Sequence, residues 1–325
     1  MEPVPYGRTG LQVTPLGVGL AALGRPGYLN LGHGVDLAED RSVAGLNRRT
    51  AAVLDRAYAR GVRYLDTARS YGYGEAFLAD WLATDPDRAG TVTVGSKWGY
   101  TYVAGWRVDA DPHEVKDHGL ATFERQIAET RKLLEDHLDL YQVHSASLTT
   151  GVLEDPEVTG ALTGLVEAGV TIGLTLSGPE QADTLRRALE LAQRGAAPFR
   201  SVQATWNLLE PSVGAALAEA HEAGWGVTIK EAVANGRLTI RGDVPPAVSA
   251  AAAELRVSVD TLATAVALAQ PFSDVVLSGA ATVEHLDSNL DAAELTLPAG
   301  LTEELQSVAE PAGAYWQRRA AMPWT

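Results

Sequence analysis

GVRYLDTARSYGYGE, residues 61–75, runs from a short apolar stretch that closes on an acid into a loop rich in glycine and tyrosine. The part VRYLD (62–66) has the length and composition of a buried β-strand, and a helical pattern starts at Glu75. Strand, polar loop and helix make up one half of a βαβ unit, and the same unit recurs along the chain. Strands are expected at 16–20 (LGVGL), 62–66, 91–97 (TVTVGSK), 138–144 (LDLYQVH), 170–176 (VTIGLTL), 200–204 (RSVQA), 225–230 (WGVTIK) and 274–278 (DVVLS). They are rich in Val, Ile, Thr and Leu, as parallel strands covered on both faces must be. Helical spacing lies between them at Leu46–Arg60, Glu75–Leu82, Gly119–Leu134, Glu157–Ala168, Pro179–Gln193, Val213–Ala223 and Leu286–Ala293. Gly61 caps the first of these, and Pro179 suits a helix start because its missing N–H is harmless there.

Eight strands alternating with helices predict a closed (β/α)8 TIM barrel, read as a single domain over residues 1–325. A doubly wound sheet lacks support, because the stretch from Gly17 to Gly24 has the wrong spacing for a GxGxxG phosphate fingerprint. Residues 24–44, 98–118 and 235–270 exceed the minimal unit, as does the tail PAGAYWQRRAAMPWT (311–325). They are expected to be insertions, with inserted loops at the C-terminal face where this fold builds its sites.

Composition narrows the partners. A net charge of -15 argues against nucleic acid and anionic membranes, which need a basic footprint. No run approaches a membrane span, and MEPVPYGRTGLQV lacks the pattern of a signal peptide, so a soluble, cytoplasmic protein is expected. There is no cysteine, and the histidines show no metal-binding spacing, so no metal site is expected.

Three strand ends carry chemistry. Asp66, Lys97 (in TVTVGSKWG) and His144 (in LDLYQVHS) each close a predicted strand, and Tyr71 lies five residues past Asp66 on the same loop. A free phenol, with a pKa of about 10, is a poor proton donor near neutrality, and an ammonium beside it lowers that value. Lys97 is the candidate ammonium, Asp66 its anchor, and His144 a hydrogen-bonding partner for a substrate oxygen. An acid, a phenol, an amine and an imidazole at one barrel mouth suit proton transfer to a carbonyl oxygen. Trp98, next to Lys97 and leading the aromatic set Tyr100, Tyr102 and Trp106, is expected to line the substrate pocket. Tyr315, Trp316 and Trp324 in the tail suit either a cover over the opening or packing on the outside.

These motifs resemble those of the aldo-keto reductase family: an LDTA-type strand end followed by YG and an acid, a strand-borne lysine in SKWG, and DLYQVH. GRTGLQVTPLGVG and VVLSGAATVEHLDSNL resemble family patterns too, so the likeness covers essentially the whole chain. The resemblance implies a catalytic tetrad of Asp66, Tyr71, Lys97 and His144, hydride transfer to or from a nicotinamide cofactor, and a small carbonyl or alcohol as substrate. It also implies that Ser177 and Gln203 hold the nicotinamide carboxamide. Gly178 stands where the family has Asn, and Lys230 where many members stack an aromatic on the nicotinamide. Asn289 matches an adenine-contacting Asn. Gly279 and His285 replace the Lys and Arg that often meet the 2′-phosphate, with Arg237 and His285 left to compensate. NADP(H) is expected over NAD(H). The alternatives are a cofactor-binding regulatory protein on the same fold, as among the potassium-channel β-subunits, and an unrelated barrel enzyme.

Overall fold

The computed structural model of the chain describes residues 1–37 and 40–325. Eight parallel strands close a barrel in sequential order: β1 Leu16–Gly19, β2 Tyr64–Asp66, β3 Thr93–Trp98, β4 Leu140–Val143, β5 Thr171–Thr175, β6 Ser201–Thr205, β7 Gly226–Lys230 and β8 Val275–Ser278. Pairing of Val276 with Leu16 and of Ser278 with Val18 completes the ring. Every expected strand is present, most of them shortened by one or more residues and 200–204 shifted by one to Ser201–Thr205, and the fold is the predicted (β/α)8 TIM barrel.

Register and pleat decide what faces inward. Asp66 pairs with Gly95 and Lys97 with Gln142, so these strand ends stand nearly level. Successive side chains alternate between the two faces of a strand. On β3, Lys97 points into the barrel, so Ser96 and Trp98 point out toward the helices. Ser96 donates to the buried Glu75 at 2.6 Å, and Trp98 packs edge-on against Phe123 with centroids 5.0 Å apart. Trp98 is fully buried there and also meets the His118 ring. It is therefore not a wall of the substrate pocket: adjacency to Lys97 in sequence puts it on the opposite face.

The lower barrel holds its own apolar cluster, which includes Tyr6, Tyr64, Leu140 and Val275. An N-terminal hairpin, Val4–Pro5 with Gln12–Val13, brings Tyr6 into that end, where its hydroxyl lies 2.8 Å from Thr228 Oγ1. The larger core lies between strands and helices. With the bottom plugged, the C-terminal mouth is where a ligand can enter.

The crossover helices are α1 Val43–Ala59, α2 Gly74–Ala83, α3 Leu120–Leu134, α4 Pro156–Glu167, α5 Gln181–Gln193 and α6 Gly214–Glu222. Pro179 lies in a turn ahead of α5, not in its first turn. Residues 235–270 are not all insertion. They contain α7 Pro246–Leu255 and α8 Val259–Leu268, and α8 is the crossover that precedes β8 and packs against it. The helix α9 Val283–Leu290 follows β8, and α10 Ala312–Ala320 lies in the tail. Residues 98–118 form a second hairpin, Tyr100–Tyr102 with Glu114–Lys116, and 24–44 include a short helix at His33–Asp36; positions 38–39 of that segment lie outside the described residues. No described helix is long and apolar enough to cross a membrane.

Candidate active site

Asp66 ends β2 on the inner face, where it is almost fully buried. Its carboxylate accepts from three donors: Lys97 Nζ, Gln203 Nε2 at 3.0 Å and Gln142 Nε2 at 3.3 Å. Lys97, itself without solvent exposure, also donates to the Thr67 carbonyl at 2.8 Å. Burial pushes the lysine pKa down and the Asp66 charge pushes it back up.

The Tyr71 loop is pinned above this pair. Tyr71 N–H donates to the Ala68 carbonyl at 3.0 Å, and Tyr73 N–H to the Gly24 carbonyl at 2.8 Å. Gly24 is required, because a Cβ there would lie 2.1 Å from the Tyr71 carbonyl oxygen. The Tyr71 ring centroid sits 4.8 Å from Lys97 Nζ, and His144 meets the ring edge-on at 5.5 Å. Among the described residues, nothing hydrogen-bonds the Tyr71 hydroxyl. Burial, reinforced by Asp66, raises the Tyr71 pKa well above 10, so the phenol holds its proton. Burial, followed by Lys97, drives His144 well below the ordinary histidine value, so its imidazole is neutral near pH 7. Its Nδ1 lies 3.4 Å from Ser70 Oγ.

The leading cation that opposes the rise at Tyr71 is Arg25; Lys97 is as near the ring, but Asp66 offsets much of its charge. The Arg25 guanidinium lies 5.2 Å from the Tyr71 centroid and 4.6 Å from that of Trp324, and it pairs with Glu114 at 2.9 Å. The tail thus packs beside the mouth. Tyr315 reaches Asn207 Nδ2 at 3.0 Å, and Arg319 pairs with Glu231, just past β7.

An open cleft runs from Asp66, Tyr71, Gln203 and Lys230 on the barrel axis out to Gly279, His285 and Asn289. Ser177 and Gly178 follow β5. Ser177 Oγ accepts from Lys230 at 3.1 Å, and Gly178 has a positive φ of 100°. Gln203 is occupied by Asp66 in this structure. Asn289 accepts from Ser278 Oγ at 2.8 Å and donates to Asp260 at 3.1 Å. The cleft fits an elongated anionic cofactor at its outer end: α9 begins there behind its Thr282 cap, and a Cβ at Gly279 would meet nothing within 4 Å. A helix start attracts phosphate. Arg237 is not free to meet one, since it pairs with Glu310 and packs on Tyr315. Arg241 lines the same cleft and is paired with Asp36 at 2.5 Å, and Asp36 in turn lies 3.8 Å from His285. Among the described residues, no three His, Cys, Asp or Glu side chains group closely enough to hold a metal ion.

Several contributors escape a reading by motif. Gln142 shares the inward face with His144, and period-two alternation points to it. Arg25, Glu231 and Arg319 reach the site from loops and the tail, and no spacing announces them.

A sequence profile described as the aldo/keto reductase family matches residues 31–310. The chain is 25% identical over 240 residues to aldo-keto reductase ausK of Aspergillus calidoustus, covering 71% of this chain and 56% of that protein. It is 30% identical over 167 residues to pyridoxal 4-dehydrogenase of Microbacterium luteolum, covering 46% and 44%. In these alignments the chain spans about half the length of the curated relatives. The fold superposes on aldo-keto reductase AKR11C1 from Bacillus halodurans, holo form, with a TM-score of 0.71 at 22% identity, covering 96% of this chain and 97% of that one. A profile match over most of the chain, together with the barrel and the juxtaposed Asp66, Tyr71, Lys97 and His144, places this chain in the aldo/keto reductase family.

Proposed function

We propose that this chain, acting as one barrel domain, is an NAD(P)(H)-dependent oxidoreductase that interconverts a carbonyl (aldehyde, ketone or sugar) and its alcohol. The observation that carries the reading is the Tyr71 hydroxyl: protonated, unpartnered among the described residues, and lining the inner end of the cleft. The nicotinamide supplies the hydride when bound. Tyr71 gives its proton to the carbonyl oxygen in reduction and takes it back in oxidation. His144, being neutral, orients that oxygen through a hydrogen bond. Lys97, held by Asp66, stabilises the phenolate as it forms, and Arg25 adds a second positive charge over the ring.

Ser177, Gln203 and Asn289 are the cofactor-facing polar groups in this reading, with Gly178 beside Ser177 and with Gly279 and His285 in the cleft wall. Engaging the carboxamide requires Gln203 to share its amide between Asp66 and the ligand. We take NADP(H) over NAD(H), with Arg241 as the side chain that meets the 2′-phosphate. Because Asp36 must yield Arg241 first, the margin is small.

The test is a tryptophan-fluorescence titration with NADPH and separately with NADH, followed by turnover assays on aldehydes and ketones. Tighter NADPH binding is expected. Tighter NADH binding would overturn the phosphate assignment alone, and saturable binding of neither would remove hydride transfer altogether. Tight binding with no turnover would favour the regulatory alternative.

A further inference from the structure

Lys230 ends β7 on the inner face and lines the inner cleft with Asp66, Tyr71 and Gln203. Its ammonium donates to two neutral hydroxyls, Thr205 Oγ1 at 2.7 Å and Ser177 Oγ at 3.1 Å. The nearest carboxylate, Glu231, is 3.8 Å away and is already gripped by Arg319, whose Nε reaches its two oxygens at 2.9 and 3.1 Å. Asp66 is committed to Lys97. Two cations and one anion therefore meet at Lys230, Glu231 and Arg319, and the Lys230 ammonium faces the cleft without a carboxylate in direct contact. Burial lowers Lys230 to about 8, with Glu231 and Asp66 opposing the shift and Arg319 and Lys97 adding to it, while Arg319 and Lys230 hold Glu231 at about 2 against its burial. At pH 7 the lysine still carries its charge.

On the reading given above, the reacting carbonyl carbon lies beside the Tyr71 hydroxyl, and the hydride donor must approach to about 3–3.5 Å. A nicotinamide that does so rests against the inner cleft wall to which Lys230 belongs. The reduced ring is neutral and the oxidised ring is a cation. An aromatic wall would favour the cation through its π face, whereas an ammonium repels it.

We propose that Lys230 makes the cleft select the reduced cofactor over the oxidised one, which loads the enzyme with the hydride donor and favours release of the oxidised form. The inference rests on the nicotinamide reading, and the experiment separates the two. Dissociation constants for NADPH and NADP+ are measured by fluorescence titration at pH 7 on the wild-type protein, Lys230→Met and Lys230→Arg. The ratio of the two constants is the readout, because each variant serves as its own reference for folding. The wild-type protein should bind NADPH more tightly, Lys230→Met should shrink the ratio by about tenfold or more, and Lys230→Arg should keep it. Raising the pH from 7 to 9 should narrow the wild-type ratio as Lys230 loses its proton under the influence of Glu231, Arg319, Lys97 and Asp66, and should leave the Met variant unchanged. An equal ratio in the wild-type and Met proteins overturns the role of Lys230 while leaving hydride transfer intact. Failure of the wild-type protein to bind either form removes both.

Discussion

Replacing Asp66 by Asn keeps the shape of the side chain and removes one buried charge. In the wild-type barrel that charge faces Lys97, and neither side chain has solvent to turn to (0% and 2% exposed). Breaking a buried pair from one side costs about 3–5 kcal/mol. The lysine itself sets a ceiling. It can escape by losing its proton, and neutralising an amine of pKa about 10.4 at pH 7 costs about 5 kcal/mol at 1.36 kcal/mol per unit. The new amide also keeps only one acceptor oxygen, so its NH2 must face either the Lys97 ammonium or the Gln203 and Gln142 amides that now donate to Asp66. A loss of about 4 kcal/mol at pH 7 is therefore expected for Asp66→Asn, read from urea unfolding with unchanged slope. The sign with pH follows. In the variant, Lys97 has a folded pKa below its unfolded value, so the unfolded chain binds more protons and stability rises with pH toward 10. The penalty should shrink accordingly. Lys97→Met should be costly too, and the double variant should lose at least about 2 kcal/mol less than the sum of the two singles. A single-variant cost below about 1 kcal/mol at pH 7, or strict additivity, would refute the buried pair as the anchor of the site.

Three further outcomes are expected. Tyr71→Phe should lower turnover by about 10² to 10⁴ while leaving cofactor affinity nearly unchanged; equal loss of both would count against Tyr71 as the proton donor. His33 and His118 are pushed down to about 4 by burial, so stability should hold above pH 6.5 and fall as the pH drops toward 4, by up to about 3 kcal/mol for each residue. Urea midpoints at pH 7, 5 and 4 measure this, and a His118→Gln variant with the same slope as wild type would exclude a contribution from that residue. Gly24→Ala drives a Cβ into the backbone of Tyr71 and Gly74, and should cost about 1–3 kcal/mol and reduce turnover with it. Wild-type melting behaviour and activity would mean that the Tyr71 loop is not held by that close approach.

The eight strands and the juxtaposition of Asp66, Tyr71, Lys97 and His144 were legible in the chain. Both follow from local rules: apolar β-branched runs of strand length, and the placing of strand ends at one mouth once a parallel barrel closes. Trp98 was misplaced at the sequence level for an equally local reason, since a residue next to an inward lysine must face outward, and Gln142 lay within reach of the same alternation. By contrast, the Ala-rich stretch reads as helices packed on the barrel, but its pattern does not say which of them, α7 or α8, is the crossover between β7 and β8. The charges that complete the site were hidden more deeply. Arg25 over Tyr71, Arg319 on Glu231 and Asp36 on Arg241 join residues from remote parts of the chain, and their partners are set by how loops and tail pack beside the mouth. Sequence by itself determined the barrel and the four groups at its centre, because pleat and register act between neighbours. Only the tertiary structure decided the electrostatic surroundings of those groups, because Coulomb interactions depend on distance in space and burial, and neither is written in residue order.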